Sequence, residues 1–170
     1  MLRFFASVFL ITGFFLAGKW ASSVQEKRVE ILNEIMLMLN ITESRLRYSH
    51  LPVTDLLRNL CENTGLSGLG FIKSCLERIC FGEPFPDAWR KSIEDETEFC
   101  RLLSEVSASL ADFGADIGST DLESQLSGCA CYKELVAHEL ELQREKSVKY
   151  KKLFPPLGLM LGISAAIIVI

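Results

Sequence analysis

Two closely spaced cysteines are the residues whose type and spacing come nearest to chemistry. Cys129 and Cys131 are separated by one alanine, and paired thiols can serve in redox reactions when one of them is readily deprotonated. The chain has six cysteines, at positions 61, 75, 80, 100, 129 and 131. None forms the C-x-x-C pairs expected of a zinc site, and burial as small apolar residues is the simpler interpretation. A membrane-tethered thiol redox sensor or enzyme using Cys129 and Cys131 is the alternative hypothesis.

Other catalytic motifs are missing from the sequence. His138-Glu139 begins like a zincin helix, but Leu142 stands where the second histidine is required. The remaining histidine, His50, lies beside Pro52 in a predicted turn. No glycine-rich phosphate loop and no G-x-S-x-G nucleophile elbow occur. We therefore predict no catalytic residue, no metal and no cofactor, and a protein that is not an enzyme.

Charge is absent from both ends of the chain and abundant between them. Residues 4–18 and 153–170 carry no charged side chain, and the whole chain has a net charge of −4. Such ends predict a transmembrane anchor over 1–21 and a transmembrane helix over 153–170, since a span needs ~20 apolar residues. The acidic balance argues against nucleic acid as a partner.

Basic residues beside the last apolar segment indicate its orientation. Residues 144–152 hold five bases and one acid, and we place Lys149, Lys151 and Lys152 at the membrane interface. The positive-inside rule then puts residues 22–152 in the cytoplasm as one domain. A cleaved signal followed by an exported, disulfide-bonded domain is a further alternative.

Apolar residues in the middle of the chain recur with helical spacing and predict an all-α fold. Ser23 and Glu26 form a capping-box pattern at the first helix, and Thr120 and Glu123 form another at the last. Between these helices, the sequence predicts helices over 52–63, 68–80, 87–95 and 99–113. We expect Pro155-Pro156 to bend the last helix. The result is a compact bundle of about six helices between two transmembrane segments.

Acidic residues concentrate in one stretch of the predicted bundle. Residues 83–123 hold eleven acids against Arg90, Lys91 and Arg101. A solvated outer face is one interpretation, and a docking patch for a basic partner is the other. On the second interpretation Asp112, Asp116 and Asp121 contact the partner.

The order and spacing of three segments resemble the stage III sporulation protein AB family. These are RYSHLPV at 47–53, FGADIGSTDLESQ at 113–125 and KYKKLFPPLGLMLG at 149–162. The matching positions are Tyr48, His50, Pro52, Phe113, Gly114, Gly118, Asp121, Glu123, Gln125, Leu157, Gly158 and Gly162, with Lys149 or Tyr150. Arg45, Val53 and Pro155-Pro156 depart from the family pattern.

The resemblance implies a membrane component of the channel complex between mother cell and forespore. It implies a domain similar to the cytoplasmic domain of type II secretion and type IV pilus platform proteins. The expected site is the mother-cell side of the outer forespore membrane. Expected partners are other sporulation channel proteins, a secretion-type ATPase, membrane lipid and a second copy of the chain. Exposed residues of the first turn, Ser49, His50 and Leu51, are further candidates for partner contact.

Overall fold

A computed structural model describes residues 2–48, 52–117 and 121–169. Side chains at 2–11, 14, 15, 17, 18, 21, 115, 116, 155, 158, 159, 162, 163 and 165–169 are outside the description. The described backbone contains seven α-helices, one 3₁₀ turn and no strand, so the all-α prediction is confirmed. The helices are α1 (Leu2–Tyr48), α2 (Val53–Glu62), α3 (Gly70–Cys80), α4 (Phe85–Asp95), α5 (Thr97–Leu102), α6 (Ser104–Asp116) and α7 (Leu122–Val169), and the 3₁₀ turn is Thr64–Leu66.

Several helix boundaries differ from the prediction for local reasons. α1 runs through Ser23, whose hydroxyl donates to the carbonyl of Trp20 at 2.8 Å instead of capping a new helix. The predicted helix over 99–113 divides at Leu103, where the backbone turns extended (φ −139°, ψ 57°). α7 continues through Pro155-Pro156 to Val169.

The predicted transmembrane helices cover segments where most side chains are outside the description. In the part of the chain that is described, no helix has a stretch long and apolar enough to cross a membrane.

The chain divides into two compact units. One, which we call the middle unit, comprises Ile31–Leu140, and the terminal unit comprises Met1–Glu30 with Glu141–Ile170. Each long helix contributes a segment to both units.

The core of the middle unit contains the broad apolar surface predicted for the first helix. The α1 side chains that are buried there are Ile31, Leu32, Ile35, Met38 and Leu39. Two neighbouring stripes of a helix are covered only when partners pack on a wide arc of its surface. α2 and α3 pack on each other, as do α3 and α4 and then α4 and α6.

Trp89 on α4 is the largest fully buried side chain of the middle unit. Its ring meets that of Phe71 edge to face at a centroid distance of 5.2 Å. Its indole N–H donates to the carbonyl of Leu110 on α6 at 2.7 Å. Gly114 lies one helical turn further along α6, and a Cβ there would fall 2.6 Å from the indole Nε1. The missing side chain therefore lets the indole lie against the α6 backbone.

Two carboxylates from distant parts of the chain stabilise the start of α3. Glu34 accepts from the N–H of Gly68 at 2.8 Å, and Glu96 accepts from the N–H of Phe71 at 2.6 Å. A Cβ at Gly68 or Gly70 would collide with these carboxylates. Negative charge at a helix N-terminus is favourable because unpaired N–H groups and the helix dipole point at it.

The terminal unit pairs α1 with α7 through polar contacts. The hydroxyl of Ser22 donates to the carbonyl of Tyr150 at 3.4 Å. Lys151 forms an ion pair with Glu26 at 2.9 Å. One turn of α7 further on, Phe154 stacks on Tyr150 with ring centroids 4.5 Å apart.

Candidate docking surfaces

The acidic stretch 83–123 divides into acids that the fold uses and acids that it leaves outside. Glu83 pairs with Lys91 at 3.2 Å, and Asp95 pairs with Arg78 at 2.6 Å. Lys91 lowers the pKa of the Glu83 carboxyl through a hydrogen bond. Glu96 is occupied at the start of α3. These carboxylates have intramolecular partners, so they are poor candidates for docking a second protein.

The outward face of α6 carries acids that have no such partner. Glu105 and Asp112 are exposed and seven residues apart, which places them on one face of a helix. Neither forms an ion pair with another described residue. Val106 and Leu110 are buried on the opposite face of the helix. We call Glu105, Ala108 and Asp112 the α6 acidic stripe, and this stripe is available to a basic partner.

The predicted contact residues Asp112, Asp116 and Asp121 do not form one surface of equivalent groups. Asp112 belongs to the α6 acidic stripe. Asp116 ends α6, and its side chain is outside the description. Asp121 precedes α7 and accepts from the hydroxyl of Ser124 at 2.7 Å and from its N–H at 3.2 Å. These hydrogen bonds lower the pKa of the Asp121 carboxyl. Asp121 is therefore the N-cap of α7, next to the Thr120 that the sequence suggested for that role.

The first predicted turn is not part of the described structure. Ser49, His50 and Leu51 lie between the end of α1 at Tyr48 and the exposed Pro52 that precedes α2, and all three are outside the description. Their predicted role in partner contact stays a prediction.

An exposed aromatic side chain that sequence reasoning missed projects from the turn between α3 and α4. Phe81 is 90% exposed, the highest value among the large apolar side chains described. Gly82 follows with a φ of +92°, a backbone conformation that side chains disfavour, and it ends α3 sharply. Exposed aromatic residues are typical anchors of protein interfaces. The signal was present in FGEPFP at 81–86, where Phe81 stands in a turn of glycine and prolines.

The predicted membrane-interface lysines lie on the α7 segment of the terminal unit. Lys149, Lys151 and Lys152 are all exposed. Lys151 is held by Glu26, whereas Lys149 and Lys152 form no ion pair with another described residue.

Cys129 and Cys131 stand in environments that disfavour joint redox chemistry. Cys129 is fully buried, and burial raises the pKa of its thiol to about 11. Cys131 is exposed two positions further along the same helix, which turns it about 200° away. A disulfide between them would require α7 to unwind, because their side chains diverge.

The described side chains include no group of three His, Cys, Asp or Glu residues placed to hold a metal ion. His138 is exposed on α7.

Comparison with known proteins identifies the family. The model of the stage III sporulation protein AB family matches residues 3–170. No curated protein and no solved structure gives a significant match. The match extends over almost the entire length, including all three segments that carry the resemblance. The chain therefore belongs to the stage III sporulation protein AB family and has a role in stage III of sporulation.

Proposed function

We propose that this protein is a non-enzymatic assembly component of the channel complex between mother cell and forespore. In this proposal the middle unit docks a secretion-type ATPase through the α6 acidic stripe. The observation that carries it is the contrast within the acidic stretch: Glu83, Asp95 and Glu96 are bound internally, whereas Glu105 and Asp112 face outward without a described ionic partner. Complementary charge on a partner would speed association and fix its orientation.

The stripe stands on a helix that the core holds firmly. Leu110 and Phe113 are buried on the inner face of α6, and the Leu110 carbonyl accepts from Trp89. Phe113 also meets Tyr132 of α7 at a centroid distance of 4.8 Å. A partner that binds the stripe would therefore meet a preformed surface and would not have to order it, which reduces the entropic cost of association.

Membrane attachment is the second part of the proposal. The uncharged segments 4–18 and 153–170 support spans at 1–21 and 153–170, with residues 22–152 as the domain in the mother-cell cytoplasm. Lys149, Lys151 and Lys152 support this orientation, since basic residues favour the cytoplasmic flank of a span. The location would be the mother-cell side of the outer forespore membrane.

Charge neutralisation with a matched control tests the docking surface. Tagged full-length protein is recovered from membranes of sporulating cells, and the ATPase that accompanies it is quantified by mass spectrometry. The variant Glu105→Gln with Asp112→Asn should recover several-fold less ATPase at equal protein abundance. The control, Glu62→Gln with Glu134→Gln, removes two exposed acids from α2 and α7 and should recover the ATPase normally. Equal recovery with both variants would exclude the α6 acidic stripe as the docking surface.

A further inference from the structure

A groove in the terminal unit has a polar end and an apolar end. Its cavity volume is about 470 Å³, and its wall is formed by α1 and α7. The residues that line it are Leu16, Lys19, Trp20, Ser22, Ser23, Glu26 and Lys151. Most of these come from one face of α1, where residues three and four apart lie side by side.

The lining changes in character along α1. Leu16 is 63% exposed and Trp20 is 68% exposed, and charged Glu26 follows about 15 Å from Leu16 along the helix. An apolar side chain, then an aromatic ring, then charge is the order in which side chains cross from hydrocarbon to water. On α7, four exposed apolar side chains follow Lys151 in sequence. They are Leu153, Leu157, Met160 and Leu161.

Two ammonium groups give the polar end of the groove its charge. Lys19 forms no ion pair with another described residue, and Lys151 shares the groove with its partner Glu26. One carboxylate against two lysines leaves a net positive site. A phosphate bearing acyl chains satisfies both halves of this lining, since lysine binds phosphate as a point charge and the wall beside Trp20 is apolar.

We propose that this groove binds one anionic phospholipid, with its phosphate at Lys19 and Lys151 and an acyl chain along Leu16 and Trp20. This inference rests on the proposed membrane attachment. It adds a discrete site with a preferred headgroup to the general attraction of basic residues for a membrane surface. Glu26 competes with the phosphate for Lys151 and so tunes the affinity.

Fluorescence quenching by brominated lipid tests the site in the full-length protein. The chain has two tryptophans, and Trp89 is 2% exposed in the core of the middle unit, so Trp20 reports on lipid at the groove. The protein is reconstituted in phosphatidylcholine vesicles containing a minor fraction of brominated phosphatidylglycerol or brominated phosphatidylcholine. We expect phosphatidylglycerol to be preferred at Trp20 by about fivefold to twentyfold, from the attraction of one to two lysines for an anionic lipid. Trp20→Phe should abolish the signal.

Two lysine-pair variants separate a site from surface charge. Lys19→Gln with Lys151→Gln should lose the preference, whereas Lys146→Gln with Lys149→Gln should keep it, because these exposed lysines do not line the groove. Simple surface attraction predicts the opposite ranking, since Glu26 already neutralises Lys151. Equal loss in both variants, or no preference in the native protein, would overturn the site.

The remaining outcomes distinguish failure of the site from failure of the proposed function. Flotation of the full-length protein with vesicles of phosphatidylcholine alone tests membrane attachment without an anionic headgroup. Failure to float with any vesicle would refute the attachment and the site together. Normal flotation without the headgroup preference would refute the site alone. Protection of Trp20 that rises with protein concentration and ignores lipid would show that a second copy of the chain covers the groove.

Discussion

Gly114→Ala tests whether the middle unit is organised around the contact of Trp89 with the α6 backbone. The new methyl group would lie 2.6 Å from the indole Nε1 and closer still to Cδ1 and Cγ, so the indole must move. Trp89 is 2% exposed and donates to the Leu110 carbonyl, so movement would strain the core and break a buried hydrogen bond. No flexible side-chain end is available there to yield.

The expected loss of stability is about 3 kcal/mol. Overpacking a core costs about 1–3 kcal/mol, and leaving a buried donor unpaired costs about 1–3 kcal/mol. Alanine gains about 1 kcal/mol over glycine in helix propensity, which offsets part of this. For a chain of this size the melting temperature should fall by roughly 6–12 °C. Thermal unfolding of the purified full-length protein, followed by tryptophan fluorescence and circular dichroism, measures the shift.

Gly128→Ala provides the matched control. Gly128 is also a helical glycine, in α7, and a Cβ there meets no atom within 4 Å. This variant should be as stable as the native protein or more stable by up to about 1 kcal/mol. If Gly114→Ala is equally well tolerated, the packing of Trp89 against α6 is not what holds these helices together.

Three further outcomes follow from individual side chains. Alkylation at pH 8 should label Cys131 quickly and Cys129 only after unfolding, because a thiol pKa of about 11 leaves little thiolate; mass spectrometry of labelled peptides reads this, and rapid labelling of both would revive the redox hypothesis. Phe81→Ser should lower recovery of partner proteins from membranes while changing the free energy of unfolding by no more than about 0.5 kcal/mol, since the ring is 90% exposed; unchanged recovery would remove it as an anchor. Glu96→Gln should cost about 1–2 kcal/mol in denaturant unfolding by weakening the hydrogen bond at the start of α3, whereas Glu94→Gln, at an exposed position of α4, should cost almost nothing; equal effects would contradict the capping role.

Helices bounded by local signals could be predicted from sequence, and longer-range features could not. α2 and α4 begin beside Pro52 and Pro84, and these prolines marked both starts correctly. The break at Leu103 was invisible because the apolar spacing continues across it, with Leu102 and Leu103 both buried. Periodicity records which residues are buried, and a kink that keeps them buried leaves no trace in it.

The candidate surface shows the same limit. Acidic composition pointed to the stretch that contains Asp112, but it could not separate acids that bind within the fold from acids that face outward. Glu96 acts on a helix that begins 26 residues earlier, and Asp121 stands beside another good capping residue, Thr120. Only the three-dimensional contacts resolve these roles. Phe81 was missed because an aromatic residue beside glycine and proline is as often packed under a turn as exposed.

Site-specific photo-crosslinking in sporulating cells tests the docking claim most directly. A photo-crosslinking amino acid in place of Ala108 lies between Glu105 and Asp112 on the exposed face of α6, and one in place of exposed Ala130 on α7 serves as the control. The proposed function predicts a crosslink from position 108 to a secretion-type ATPase and none from position 130. A crosslink to the ATPase from position 130 with none from position 108 would contradict docking through the α6 acidic stripe.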